Sequence, residues 1–218
     1  MENTTQPMLK KDYYLSFLAG LLIGLLFLPI LNAAKPELYG KISWFIIPIF
    51  FIGAPFGLAI CHILSRKIPV LWQLGKFAVT GVLNVCVDLG TLSLLTFIFA
   101  NYLGISAKNL VVTGVSFLTF YSLFKAASFI VANINSYFWN KHWTFHQEED
   151  KKTEFFQFFI VSVVGFFINV FFASVVFKYV SPVAGLNLDQ WGLIGAIIGS
   201  LAGLIWNFLG YKFIVFKK

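Results

Sequence analysis

Charged side chains are scarce in this 218-residue chain, at 11% of residues, where an ordinary soluble domain carries about 25%. That scarcity excludes a water-soluble globule. Cysteine is nearly absent too: Cys61 and Cys86 both fall inside apolar runs, which argues against a disulfide and leaves the thiols as small apolar packing groups. Alternating apolar and polar residues in segments of about ten, the mark of a transmembrane barrel, are missing, because apolar runs here continue for about 20 residues. The net charge of +7 does not gather into a basic patch but is scattered one to three residues at a time at the ends of those runs. No nucleic-acid surface is therefore expected, and the distribution is the one membrane topology produces. Clustered carboxylates are lacking as well. The only acidic cluster, Glu148 to Asp150, lies among lysines, whereas group-transfer chemistry wants carboxylates for a metal-bound nucleotide or an acid and base pair. His142 and His146 have metal-ligand spacing on a helix but no acidic or cysteine partner nearby in sequence, so neither a metal nor another cofactor is expected, and no enzyme.

What is present in excess is apolar surface. Hydrophobic residues make up 59% of the chain, and phenylalanine alone takes 27 positions, more than one soluble core could hide. The composition predicts an all-α integral membrane protein with six transmembrane helices: Tyr13 to Leu31, Ile42 to Leu64, Phe77 to Ala100, Thr119 to Asn140, Phe156 to Tyr179 and Gln190 to Tyr211. With the amino terminus inside, Lys10, Lys11, Arg66, Lys67, Lys76, Lys141, Lys151, Lys152, Lys212, Lys217 and Lys218 fall on inner segments. Lys35, Lys41, Lys108, Lys125 and Lys178 fall outside or at the outer edge. This asymmetry predicts both termini in the cytoplasm and a multi-pass protein of the cytoplasmic membrane. The first run, flanked by Lys10, Lys11 and by Asn32, Ala33, Ala34, has the outline of a secretory signal, but its apolar stretch is too long and it reads as a retained span. Gln147 to Glu154 reads as a solvated connection. Leu110 to Phe124 is nearly all apolar and runs into the fourth span. One helix from there to Asn140 would be about 46 Å long, so either that span is strongly tilted or Ser106 to Phe117 lies at the outer interface or re-enters.

The last four spans contain a direct repeat, about 73–145 and 155–216. An offset of 81 lays Phe77 on Phe158, Gly81 on Ser162, Asn84 on Gly165 and Asp88 on Asn169. An offset of 71 lays Asn140, Lys141, Trp143, Thr144 and Phe145 on Tyr211, Lys212, Ile214, Val215 and Phe216. Each copy holds two spans, an even number, so the copies insert the same way round, related by an axis along the membrane normal. The expected organisation is a two-span extension, 1–68, followed by a two-plus-two core, 69–218.

Along that core run Lys76-Phe77-Ala78-Val79-Thr80-Gly81 with Asn84 and Asp88, then Asn140-Lys141-His142-Trp143-Thr144-Phe145. Phe159 through Gly165 to Asn169 follows, and then Asn207-Phe208 ending in Lys212-Phe213-Ile214-Val215-Phe216. This order of short motifs resembles the GtrA-like family over about residues 70 to 218. The resemblance implies a small four-span core associated with cell-surface polysaccharide or cell-wall glycosylation, acting as a flippase for a polyprenyl-phosphate-linked sugar of the undecaprenyl-phosphate hexose type. The chain departs from the family pattern in having Ser136-Tyr137 where an Asn-Phe pair is usual, and Lys141 in place of an arginine. The lysine offers phosphate a point charge instead of a bidentate guanidinium. Two other readings compete: a non-catalytic membrane partner of a polyprenyl-phosphate glycosyltransferase, and a proton-coupled small-molecule exporter. Membrane lipid is a partner in every reading, and a homodimer would enclose a headgroup more readily than so slim a core.

Carrying a phosphodiester and a ring of hydroxyls through about 30 Å of hydrocarbon requires polar groups within the bilayer. Asp88, about eleven residues into its span, is the first candidate, since a charge at that depth costs about 2.5 to 3.5 kcal/mol. Asn84 lies one turn away on the same face, and Asn169 is at the equivalent depth in the second copy. These three either bind sugar hydroxyls or tie helices together. Lys125 is the other charge well inside a span; it pairs with Asp88 or snorkels to the outer headgroups. In a pair, either a passing phosphodiester displaces Asp88 or protonation releases it. Lys141 and Lys212, matched by the repeat, either receive the phosphodiester at the inner mouth or serve as positive-inside anchors, with Asn140 and Asn207 beside them as helix caps or headgroup contacts. Trp143 and Phe145 read as interfacial belt residues. Gly195, Gly199 and Gly203 form a small-residue stripe for a close helix contact or an isoprenoid groove, and Gly20 with Gly24 suggest packing or dimerisation.

Overall fold

Long apolar segments with few helix breakers can satisfy their backbone only internally, and the chain does this with helices. The computed structural model describes residues 10–111, 119–147, 153–183, 185 and 188–217. It contains α1 (Lys10–Ala34), α2 (Pro36–Ser65), α3 (Val70–Tyr102), α4 (Phe120–Trp139), α5 (Glu154–Tyr179) and α6 (Leu188–Gly210). Two π-helical turns, π1 (Asn140–Thr144) and π2 (Tyr211–Val215), continue α4 and α6. They stand at positions separated by the same 71 residues that relate the sequence motifs. Each closes on the same bond, Phe145 N–H to the Asn140 carbonyl and Phe216 N–H to the Tyr211 carbonyl, both at 2.8 Å.

Among the described residues, five helical segments are long and apolar enough to cross a membrane: Lys10–Asn32, Pro36–Ser65, Val70–Tyr102, Glu154–Tyr179 and Ile194–Val215. The expected fourth span is not among them. At 20 residues α4 is about 30 Å long, but it carries Ser122, Lys125, Ser128, Asn133, Asn135 and Ser136, so its limitation is polarity and not length. Its start also settles the long apolar approach: Thr119 caps α4 by accepting from the Ser122 N–H, and Leu110 and Thr119 form an isolated antiparallel bridge. A single helix from Leu110 is thereby excluded. Of the segment expected at the interface, 106–117, the second half, 112–117, lies outside the described residues.

The chain forms two compact units, Met1–His146 and Gln147–Lys218. In the first, α1 packs antiparallel to α2 and parallel to α3, and α4 packs against α3. Its core includes Ala19, Ile23, Leu58, Leu83, Cys86 and Trp143. Gly20 and Gly24 are explained by this packing: a side chain on Gly20 would run into the Phe50 carbonyl, and one on Gly24 would come within 2.9 Å of the Ile47 Cα. In the second unit α5 and α6 are in close contact along the glycine stripe. A Cβ on Gly195 would stand 3.0 Å from the Ala173 carbonyl oxygen, one on Gly203 2.9 Å from that of Gly165, and one on Gly199 would overlap that of Asn169. Helix α5 fills the groove that an isoprenoid would need. Gln147 and Glu154, at the two ends of the polar connection expected in solvent, are both buried; residues 148–152 between them lie outside the described residues.

Candidate functional site

Two charged clusters stand out among the described residues of the first unit. The sequence anticipates one of them. Asp88 on α3 and Lys125 on α4 form an ion pair, and Ser128, one turn further along α4, donates from its hydroxyl to the other carboxylate oxygen at 2.6 Å. The same hydroxyl lies 3.0 Å from the Lys125 carbonyl. The Lys125 side chain remains 42% exposed and that of Asp88 22%, so the pair is open on one side. The offset partners of Asp88 and Ser128 are Asn169 and Gly199, and within the second unit these also touch: a Cβ on Gly199 would lie 2.8 Å from the Asn169 Oδ1. Asn169 there donates weakly to Ser200 at 3.5 Å.

Polar atoms without a partner accompany the pair. Among the described residues, Thr80 Oγ1, Asn84 Oδ1, Asn135 Nδ2, Asn140 Oδ1 and Thr144 Oγ1 are buried in the first unit and make no hydrogen bond, and Asn207 Oδ1 is in the same condition in the second. Lys76, Thr80, Asn84 and Asp88 follow one another at successive turns of α3, a polar line about 18 Å long. A buried polar atom left unmade costs about 1–3 kcal/mol, and more where water is excluded. Asn207 is accommodated because residue 165 is glycine: a Cβ there would come within 3.0 Å of the Asn207 Nδ2.

The other expected residues turn inward. Asn140 is buried and donates to the Ser136 carbonyl at 2.8 Å and to the Ser136 hydroxyl at 3.2 Å. Lys141 is buried and donates to the Tyr137 hydroxyl at 3.2 Å, with its ammonium 5.5 Å from that ring's centre. The two departures from the family motif thus meet physically, Tyr137 supplying the hydroxyl that the lysine uses. Lys212 lies between the Phe208 and Phe213 rings, at 5.7 and 5.5 Å. Trp143 and Phe145 correct the belt expectation: both are buried, Trp143 within the π-turn and Phe145 at its end.

Sequence reasoning missed the second charged cluster, together with Ser128 and Asn135. Lys76, expected on an inner segment, is enclosed in α3 and pairs with Asp12 of α1 at 2.9 Å, each side chain 2% exposed. The Trp143 indole N–H donates to the same Asp12 oxygen at 3.0 Å. The Lys76 ammonium also reaches His146 Nε2 at 3.0 Å and the Trp143 carbonyl at 3.5 Å, and lies 4.6 Å from the Trp72 ring centre. His142 stacks on Phe138 instead. The available signal was Asp12 itself, a lone acid between Lys11 and the first apolar run.

The fold and its intramembrane polar groups define a multi-pass helical membrane protein with charged and unpartnered polar groups on its spanning helices. The family model of the GtrA/DPMS transmembrane domain matches residues 76–216, more than half of the chain. The chain belongs to that family. It is also similar to an uncharacterized membrane protein of Bacillus subtilis (strain 168), YngA, with 26% identity over 155 residues, covering 70% of this chain and 83% of that protein. No solved structure matches.

Proposed function

We propose that the chain is a flippase moving a polyprenyl-phosphate-linked sugar, of the undecaprenyl-phosphate hexose type, across the cytoplasmic membrane for surface polysaccharide or cell-wall glycosylation. Family membership supports a membrane protein of this kind. The observation that carries the substrate class is the line of polar groups on α3. Thr80 Oγ1 and Asn84 Oδ1 are buried without partners one turn apart, below an Asp88 that is paired but open to one side. Sugar hydroxyls, which donate and accept, satisfy such atoms; the prenyl tail stays in lipid. On this reading α4 is the sixth span, both termini are cytoplasmic, and α3–α4 and α5–α6 are two copies of one helical pair. The equivalent contacts Asp88 with Ser128 and Asn169 with Gly199, and the π-turns 71 residues apart, support the repeat.

The chain itself does no bond making here; it binds and reorients. The phosphodiester competes for Lys125 with Asp88, and Ser128 holds the displaced carboxylate. Reconstitution into vesicles with a labelled polyprenyl-phosphate hexose, scoring the leaflet from which the label is accessible, tests this. Protein-dependent movement that falls in Asp88→Asn is expected. No movement would favour the role of a non-catalytic partner for a membrane glycosyltransferase, and movement of water-soluble cations driven by a proton gradient would favour an exporter.

A further inference from the structure

The first two helices, α1 and α2, lie outside the family match, which begins at Lys76. A charged contact between them and the matched segment is specific. Lys76 Nζ and Trp143 Nε1 converge on a single carboxylate oxygen of Asp12, at 2.9 and 3.0 Å, in a place where all three side chains are almost wholly enclosed. Two donors on one oxygen are what an oxyanion requires. Those donors are held independently of Asp12: the ammonium is also fixed by His146 Nε2 and by the Trp143 carbonyl, and the indole is packed in the core. His146 holds its position with φ of 50°, a left-handed conformation that costs a non-glycine residue of order 1 kcal/mol. Asp12 belongs to the first turn of α1, the part of a helix that opens most easily.

We propose that Lys76, Trp143 and His146 form a seat for a phosphodiester at the end of the polar line on α3, and that Asp12 of the extension occupies it as a built-in competitor. A carboxylate and a phosphodiester each carry one negative charge, so the exchange leaves the charge of the enclosed seat unchanged. Thr80, with its unpartnered hydroxyl, stands at the next turn of α3, about 6 Å along the axis, within reach of a sugar esterified to a phosphate on Lys76. The seat is then the first station of the proposed transport path, and the extension sets how often that station is free. The inference rests on the flippase reading for its ligand class.

Binding, not transport, tests it. Purified full-length protein is titrated with a short-chain isoprenyl phosphodiester of glucose and, separately, with the water-soluble phosphodiester glycerophosphoglycerol. Removing the competitor by Asp12→Asn should tighten binding of the isoprenyl ligand about tenfold or more, as expected when the free seat is a minor state. Adding Lys76→Met should abolish the gain. Equal tightening for glycerophosphoglycerol assigns the seat to the phosphodiester alone; tightening for the isoprenyl ligand alone assigns it to the lipid-linked form. Should Asp12→Asn fail to fold, hydrogen exchange on the wild type replaces it: saturating ligand should deprotect residues 10–16. Unchanged affinity in Asp12→Asn, a gain that survives Lys76→Met, or unchanged protection overturns the proposal. Tightened binding without lipid movement in vesicles would leave the seat standing and remove the flippase reading; movement without tightened binding would do the reverse.

Discussion

Asp12–Lys76 and Asp88–Lys125 are acid–lysine pairs of the same chemistry at different degrees of enclosure, and their coupling energies should differ accordingly. Asp12 and Lys76 are each 2% exposed. Removing one of them strands a charge with no water to receive it, which costs about 3–5 kcal/mol in enclosed pairs. Lys125, at 42% exposure beside Asp88 at 22%, can swing its ammonium outward when the acid is neutralised, so the second pair should couple by only about 1 kcal/mol. Two double-mutant cycles measure this, Asp12→Asn with Lys76→Met and Asp88→Asn with Lys125→Met. Unfolding is followed by far-ultraviolet circular dichroism during titration of mixed micelles with dodecyl sulfate. The enclosed pair should exceed the open one by about 2 kcal/mol, which is about thirtyfold in the ratio of folded to unfolded protein. A coupling for Asp88–Lys125 equal to or larger than that for Asp12–Lys76 would refute the assignment of the latter as the enclosed pair.

Gly199→Ala should destabilise the protein by about 1–3 kcal/mol, because the new methyl overlaps the Asn169 carbonyl and meets the Ala173 Cβ at 2.9 Å. Gly57→Ala, where a Cβ meets nothing within 4 Å, should be neutral or stabilising in the same micelle titration. Thr80→Val removes a buried hydroxyl that makes no hydrogen bond, so the thermal midpoint should hold or rise while lipid movement in vesicles falls. Unchanged movement would place Thr80 off the path.

Much of the helical layout was legible, since apolar runs of spanning length have few other uses, and Asp88 with Lys125 stood out as isolated charges within such runs. The limits have physical causes. α4 reads as a span by length and fails by polarity, because its serines and asparagines serve contacts that hydropathy counts only as a penalty. Asp12 and Lys76 border their runs, where charges normally meet water; only the packing of α1 alongside α3, 64 residues away in sequence, encloses them. Trp143 has the composition of a belt residue and the position of a core residue. Ser128 and Asn135 gave no distinct sign among the other polar residues of α4.

The two π-turns bear on how such a chain can be read at all. A turn wider by one residue is a frameshift in helical phase: the residue that closes it is set about 100° from where an α-helix would close. In π1 the shift buries Asn140, Lys141, Trp143 and Thr144 within a single turn, a set too broad for one face of an α-helix. Because the same frameshift recurs 71 residues later, deleting one residue from either turn is a mutation of phase and not of chemistry. It would leave the composition almost untouched while turning the end of the helix toward a different neighbour.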